Sequence, residues 1–150
     1  MTVTSPTKSA KTLLIVEDEI LAAMALKGEL EDAGYIVMDL TSRHQEAASA
    51  ARECKPDLAL VNIQLQGRDS GIELAQELKA MGIPVMFISG QITRARTAQT
   101  VAIASMPKPY SAMDLVLAVN YLLGHLGGDD TFQRPAGLEV FETDLAPDGV

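Results

Sequence analysis

Residues 13–19 read Leu13-Leu14-Ile15-Val16-Glu17-Asp18-Glu19, four aliphatic side chains in a row and then three acids. Side chains on a strand alternate between its two faces, so an unbroken aliphatic block suits a strand buried on both sides. The abrupt change to acids places Glu17 and Asp18 where that strand runs out of the core. Four more blocks follow the same pattern: Tyr35-Ile36-Val37-Met38, Leu58-Ala59-Leu60-Val61, Ile83-Pro84-Val85-Met86-Phe87-Ile88 and Val101-Ala102-Ile103-Ala104. Between them lie stretches with helical spacing. In 20–33, Ala23, Leu26, Leu30 and Ala33 form one stripe, with Gly34 placed to stop the helix. Further helices are predicted at about 43–54, 72–81 and 92–100. The last one starts at Ser111, an N-cap with Asp114 three residues on.

Strand and helix alternating five times predict an α/β fold: a doubly wound, five-stranded parallel sheet with helices on both faces. In such sheets ligands bind at the carboxyl ends of the strands. The polar residues there are Glu17 and Asp18, Asn62, Ser89 and Lys108. The whole chain has 150 residues, 47% of them hydrophobic, and a net charge of −8, which argues against a broad nucleic-acid-binding surface. Much of this charge belongs to 127–150, a stretch with glycine, proline and no burial period, predicted to be a flexible acidic tail. Its Phe132, Leu138, Val140 and Phe141 leave open a docking segment. Residues 1–10 are predicted to be a flexible N-terminus, leaving 11–126 as the domain. With the single cysteine Cys54 and no apolar run long enough for a bilayer, a cytoplasmic protein with no membrane contact is expected.

Taken in order, Leu14–Glu19, Pro56–Asn62, Asp69-Ser70-Gly71-Ile72-Glu73-Leu74, Pro84–Ser89 and Lys108-Pro109-Tyr110 resemble the receiver domain of bacterial response regulators, with its flavodoxin-like, CheY-like fold. The resemblance implies a phosphorelay signalling domain, not an enzyme, that takes a phosphoryl group from a kinase histidine onto an aspartate after the third strand. It implies that Glu17 and Asp18 hold Mg²⁺ with the backbone carbonyl of Gln64, that Ser89 is the switch hydroxyl and Lys108 the phosphate-binding lysine, and that the Lys108–Pro109 bond is cis. Partners would be a histidine kinase, a phosphotransferase or a downstream regulator, met as a monomer or weak dimer. With only residues 127–150 after the fifth helix, a single-domain regulator acting by protein contact is expected.

Position 62 departs from the family, which has Asp where this chain has Asn62. An amide is neither a carboxylate nucleophile nor an anionic ligand, so phosphorylation is not expected and Mg²⁺ binding should be weakened. Either the receiver is naturally degenerate, or Asn62 replaces the acceptor Asp to lock the unphosphorylated state; both readings stay open. Asp57 and Asp69 are poorly placed as substitutes. The stretch from Ser89 to Lys108 is short and polar, which predicts a short or irregular fourth helix, and Ser105 stands where an aromatic switch is common. Phe87-Ile88-Ser89-Gly90 is similar to the signature of the atypical "FAT GUY" receivers, with Ile88 and Gln91 departing from it. A flavodoxin-like nucleotide or flavin binder would need a glycine-rich phosphate loop where Glu17-Asp18-Glu19 stand. A phosphatase using Asp18 would need a second acid two residues later. The histidines His44 and His125 are predicted to be solvated, and Met24, Met38, Met81, Met86, Met106 and Met113 to fill the core.

Overall fold

A computed structural model of the chain describes residues 10–65, 70–90 and 92–141. The elements run β1 (Thr12–Val16), α1 (Ile20–Asp32), β2 (Ile36–Val37), α2 (His44–Glu53), β3 (Leu58–Asn62), α3 (Ser70–Ala80), β4 (Val85–Ser89), α4 (Ile92–Thr97), β5 (Ala104–Pro107), α5 (Ala112–Leu126) and β6 (Glu139–Val140). The sheet order is β2-β1-β3-β4-β5-β6. The first five strands are parallel, as predicted, and β6 adds an antiparallel edge against β5.

Strand alternation divides the core in two. Leu13, Ile15, Leu58, Leu60, Met86 and Ile88 face α1 and α5, whose Ala23, Leu26, Leu30, Leu115, Val119 and Leu122 complete that side. Leu14, Val16, Ala59, Val61, Val85 and Phe87 face the other way, onto Ala47, Ala48 and Ala51 of α2, Leu74 and Leu78 of α3, and Ala95 and Ala98 near α4. Burial on both faces explains why the central strands read as aliphatic runs.

Three expectations change. The five-stranded sheet has a sixth strand, and the end of the described part of the predicted tail packs on the domain, Leu138 and Phe141 being 6% and 3% exposed, whereas 127–134 are exposed. The block Val101–Ala104 is not itself a strand, since β5 begins only at Ala104 and Val101 still belongs to the turn after α4. Ala33 caps α1 and is exposed, and Met24 and Met113 lie on the surface, because their helices turn these positions away from the sheet. Residues 1–9 of the N-terminus, Asp69, Gln91 and the tail beyond 141 lie outside the described residues.

The join between β3 and α3 is the tightest. The Gly71 amide donates to the Ile63 carbonyl at 2.9 Å, and a Cβ at Gly71 would stand 2.0 Å from the Asn62 carbonyl oxygen. Only glycine permits that approach, which seats α3 on the backbone that carries Asn62. Gly28, on the exposed side of α1, has nothing within 4 Å of an added Cβ. Gly71→Ala is therefore expected to cost about 2–4 kcal/mol in chemical denaturation, whereas Gly28→Ala should gain about 0.5–1 kcal/mol. Equal midpoints for the two variants would contradict the assigned contact.

Candidate functional site

Register puts the predicted residues at one edge of the sheet. Val16 pairs with Val61, Asn62 with Ile88, and Ser89 with Pro107, so the chain leaves β1, β3, β4 and β5 at a common level. Glu17 and Asp18 follow β1, Asn62 ends β3, Ser89 ends β4 and Lys108 follows β5. The Lys108 amide donates to the Ser89 carbonyl at 2.9 Å, and the Lys108–Pro109 peptide is cis. Gln64 lies just beyond β3, exposed.

Glu17 is the centre of this cluster, only 2% exposed despite its charge. A carboxylate that deep is tolerated only with hydrogen-bonded partners. Three donors supply them. Lys108 Nζ reaches Oε1 at 3.1 Å, and Asn62 Nδ2 and the Glu19 backbone amide reach Oε2 at 3.0 and 3.1 Å. The same Asn62 Nδ2 lies 3.4 Å from Asp18 Oδ1. Lys108 also meets the exposed Glu19 carboxylate at 3.4 Å. Glu19 takes part in the network although the sequence reading assigned it no role; its place in a run of three acids was the available signal.

Burial pulls the Lys108 ammonium down, but the hydrogen bonds and negative charges of Glu17 and Glu19 together outweigh it and leave the group above its ordinary 10.5. Burial, reinforced by Glu17, pushes the neighbouring Tyr110 hydroxyl up, with Lys108 offsetting part of that.

Other sequence expectations find other places. Asp57 sits at the opposite end of β1, where its carboxylate accepts from the Thr12 amide at 2.8 Å, a purely structural bond. His44 bonds Glu77 across α2 and α3, and His125 bonds Asp130 and stacks on Tyr121, so neither histidine is simply solvated.

A hard divalent cation fits these residues in part. Glu17 and Asp18 offer carboxylate oxygens, but Asn62 turns its nitrogen toward both. That orientation follows from chemistry, since carboxylates need donors opposite them. To bind a cation there, the amide must rotate its oxygen inward and give up both bonds. Among the described residues no group of three His, Cys, Asp or Glu side chains is arranged to hold a metal.

This architecture and site define a signal receiver. The chain belongs to the response regulator receiver domain family, which matches residues 13–120, and so to two-component signalling. It is similar to the transcriptional regulatory protein PdtaR of Mycobacterium tuberculosis (strain ATCC 25618 / H37Rv), 34% identical over 127 residues, covering 77% of this chain and 60% of PdtaR. The phyllosphere-induced regulator PhyR of Methylorubrum extorquens is 37% identical over 92 residues, covering 60% of this chain and 34% of PhyR. The chain thus spans less than two thirds of PdtaR and about one third of PhyR. The signal receiver domain of a modulated diguanylate cyclase from Desulfovibrio desulfuricans G20 has a TM-score of 0.68 at 33% identity, over 77% of this chain and 94% of that one. The receiver domain of NtrX from Brucella abortus gives 0.68 at 30%, over 74% and 97%. No helix among the described residues is long and apolar enough to cross a membrane.

Removing Lys108 strands the buried Glu17 carboxylate, so Lys108→Met is expected to cost about 2–3 kcal/mol at neutral pH. Because the folded state holds this lysine above its ordinary value, its contribution is full below about pH 10.5 and is lost as pH rises through the folded value. Urea denaturation of both proteins from pH 7 to pH 11.5 should show their stabilities converging at the alkaline end. A constant difference would contradict the pairing.

Proposed function

We propose that this receiver works in two-component or phosphorelay signalling by protein contact, and that position 62 does not accept a phosphoryl group. The observation that carries this reading is the Asn62 amide, whose nitrogen donates to Glu17 at 3.0 Å and to Asp18 at 3.4 Å. Phosphoryl transfer would require a carboxylate oxygen at this position to attack phosphorus as the kinase histidine nitrogen leaves. An amide oxygen has no negative charge to give. The amide also supplies from within the protein a donor that the two acids would otherwise seek from a cation. Mg²⁺ held by Glu17, Asp18 and the Gln64 carbonyl would neutralise charge on a phosphoryl group, and its binding is weakened here.

Ser89 and Lys108 keep the roles that the family resemblance implies, a switch hydroxyl and a phosphate-binding ammonium. The retention of both supports a second reading, that Asn62 stands in place of an acceptor Asp and holds the unphosphorylated state. The six-residue α4 is in keeping with an atypical receiver of the FAT GUY kind.

A protein partner is supported by the surface beside the site. Leu21 of α1 is 79% exposed, with Ile20 and Met24 exposed alongside it and Met113 on α5. A cleft of about 570 Å³ between Ala22, Leu26, Lys108, Pro109, Tyr110 and Ala112 lies between these helices. Apolar side chains grouped around a cleft suit the helix of a histidine kinase, phosphotransferase or downstream regulator. A cytoplasmic place follows from that role.

The test is incubation with a small phosphodonor and Mg²⁺, read by intact mass. The protein with Asn62 should stay unmodified, and Asn62→Asp should gain one phosphoryl group that Lys108→Met in the same background loses or slows at least about tenfold. Phosphorylation of the Asn62 protein would overturn the proposal.

A further inference from the structure

The segment after α5 presents a different kind of site. β6 lies antiparallel on β5, pairing Val140 with Ala104 and Glu139 with Ser105, and the Phe141 amide donates to the Ile103 carbonyl at 2.8 Å. Its side chains alternate as a strand requires. Leu138 and Val140 pack on the side of α1 and α5, while Phe141 enters the opposite core beside α4. Glu139, on the same side as Phe141, receives Arg96 Nε of α4 at 3.0 and 3.1 Å. One turn earlier Phe132 lies against Gly124 of α5, where a Cβ would come within 2.5 Å of its ring.

Without β6, the outer edge of β5 is an open row of backbone donors and acceptors flanked by an arginine and by apolar walls on both sides. Such an edge is a template for any extended segment with matching side chains. The hold of the chain's own segment is concentrated in two buried side chains, Leu138 and Phe141, and is thin elsewhere. The strand has two residues, its ion pair is solvent-exposed, and a cleft of about 490 Å³ remains between it and Arg96, Ser105 and Pro107. Gly127 and Gly128, the latter at φ +87°, close α5 and begin the segment.

We infer that the β5 edge is a strand-addition site for a partner segment of the pattern apolar–acidic–apolar–aromatic, and that Leu138-Glu139-Val140-Phe141 occupies it in cis as a displaceable competitor. The charge of Arg96 selects the acid, the core pocket beside Ala95, Ala98 and Ala102 selects the aromatic ring, and main-chain pairing supplies the rest. This inference does not depend on the chemistry at Asn62.

The probe is a fluorescein-labelled peptide of residues 136–142 titrated into the full chain and its variants, with hydrogen exchange followed in peptides covering 103–107. The wild-type chain should bind the peptide weakly, because the cis strand competes. Phe141→Ala should speed exchange at 103–107 by about tenfold or more and tighten peptide binding correspondingly. Glu139→Lys, which leaves the core intact, should give a smaller gain of about twofold to fivefold. Adding Arg96→Glu to Phe141→Ala should abolish the gain, and a peptide carrying Glu139→Lys should recover it. Unchanged exchange in both single variants, or peptide binding indifferent to Arg96, would overturn the inference. Self-association of Phe141→Ala in light scattering, with no peptide binding, would assign the edge to a second copy of this chain instead and overturn the partner assignment.

Discussion

A carboxylate that is almost wholly removed from water must be satisfied from within, and in this receiver that carboxylate is Glu17. Lys108 neutralises it, and the Asn62 and Glu19 nitrogens complete its hydrogen bonding. The three donors come from after β5, from the end of β3 and from the chain just beyond β1. One buried charge thus ties together the carboxyl ends of three parallel strands, and the position of each depends on the sheet register being kept. Loss of any donor leaves a group whose desolvation is not offset.

The backbone beneath this cluster is equally constrained. Gly71 lets α3 begin in direct contact with the Asn62 and Ile63 carbonyls, so the residue at position 62 is held on a rigid join and not on a free loop. Lys108 is braced by the hydrogen bond that its backbone N–H donates to the Ser89 carbonyl, which links the ends of β4 and β5. β5 is therefore shared by two features. Its end carries the lysine of the site, and its outer edge carries β6.

Much of this was legible in the chain. The aliphatic runs Leu13–Val16 and Leu58–Val61 are unbroken because both of their faces are covered, and their abrupt ends at Glu17 and Asn62 mark the site directly. The helix start at Ser111 was equally plain, since its hydroxyl does accept from the Asp114 amide at 3.0 Å. Three things were hidden. The sixth strand is two residues long and antiparallel, and its alternation of Leu138, Glu139, Val140 and Phe141 is too brief to stand out among glycines, prolines and acids. The start of β5 slipped because Val101 to Ile103 are as apolar as a strand but belong to the turn that seats it. The partnership of Glu19 with Lys108 is a long-range contact that no local spacing encodes. Met24 and Met113 were misplaced for a related reason: a methionine is equally at home filling a core and covering a surface that meets a partner.

The central claim is that the Asn62 amide occupies, with its own hydrogens, the position from which Glu17 and Asp18 would otherwise engage a cation. Isothermal titration of Mg²⁺ into the protein and into Asn62→Asp tests it most directly. The amide must rotate and lose two bonds before an oxygen faces the metal, and the site has one negative charge fewer, so binding to the Asn62 protein should be weaker by about tenfold or more. Equal affinity for the two proteins would contradict the account.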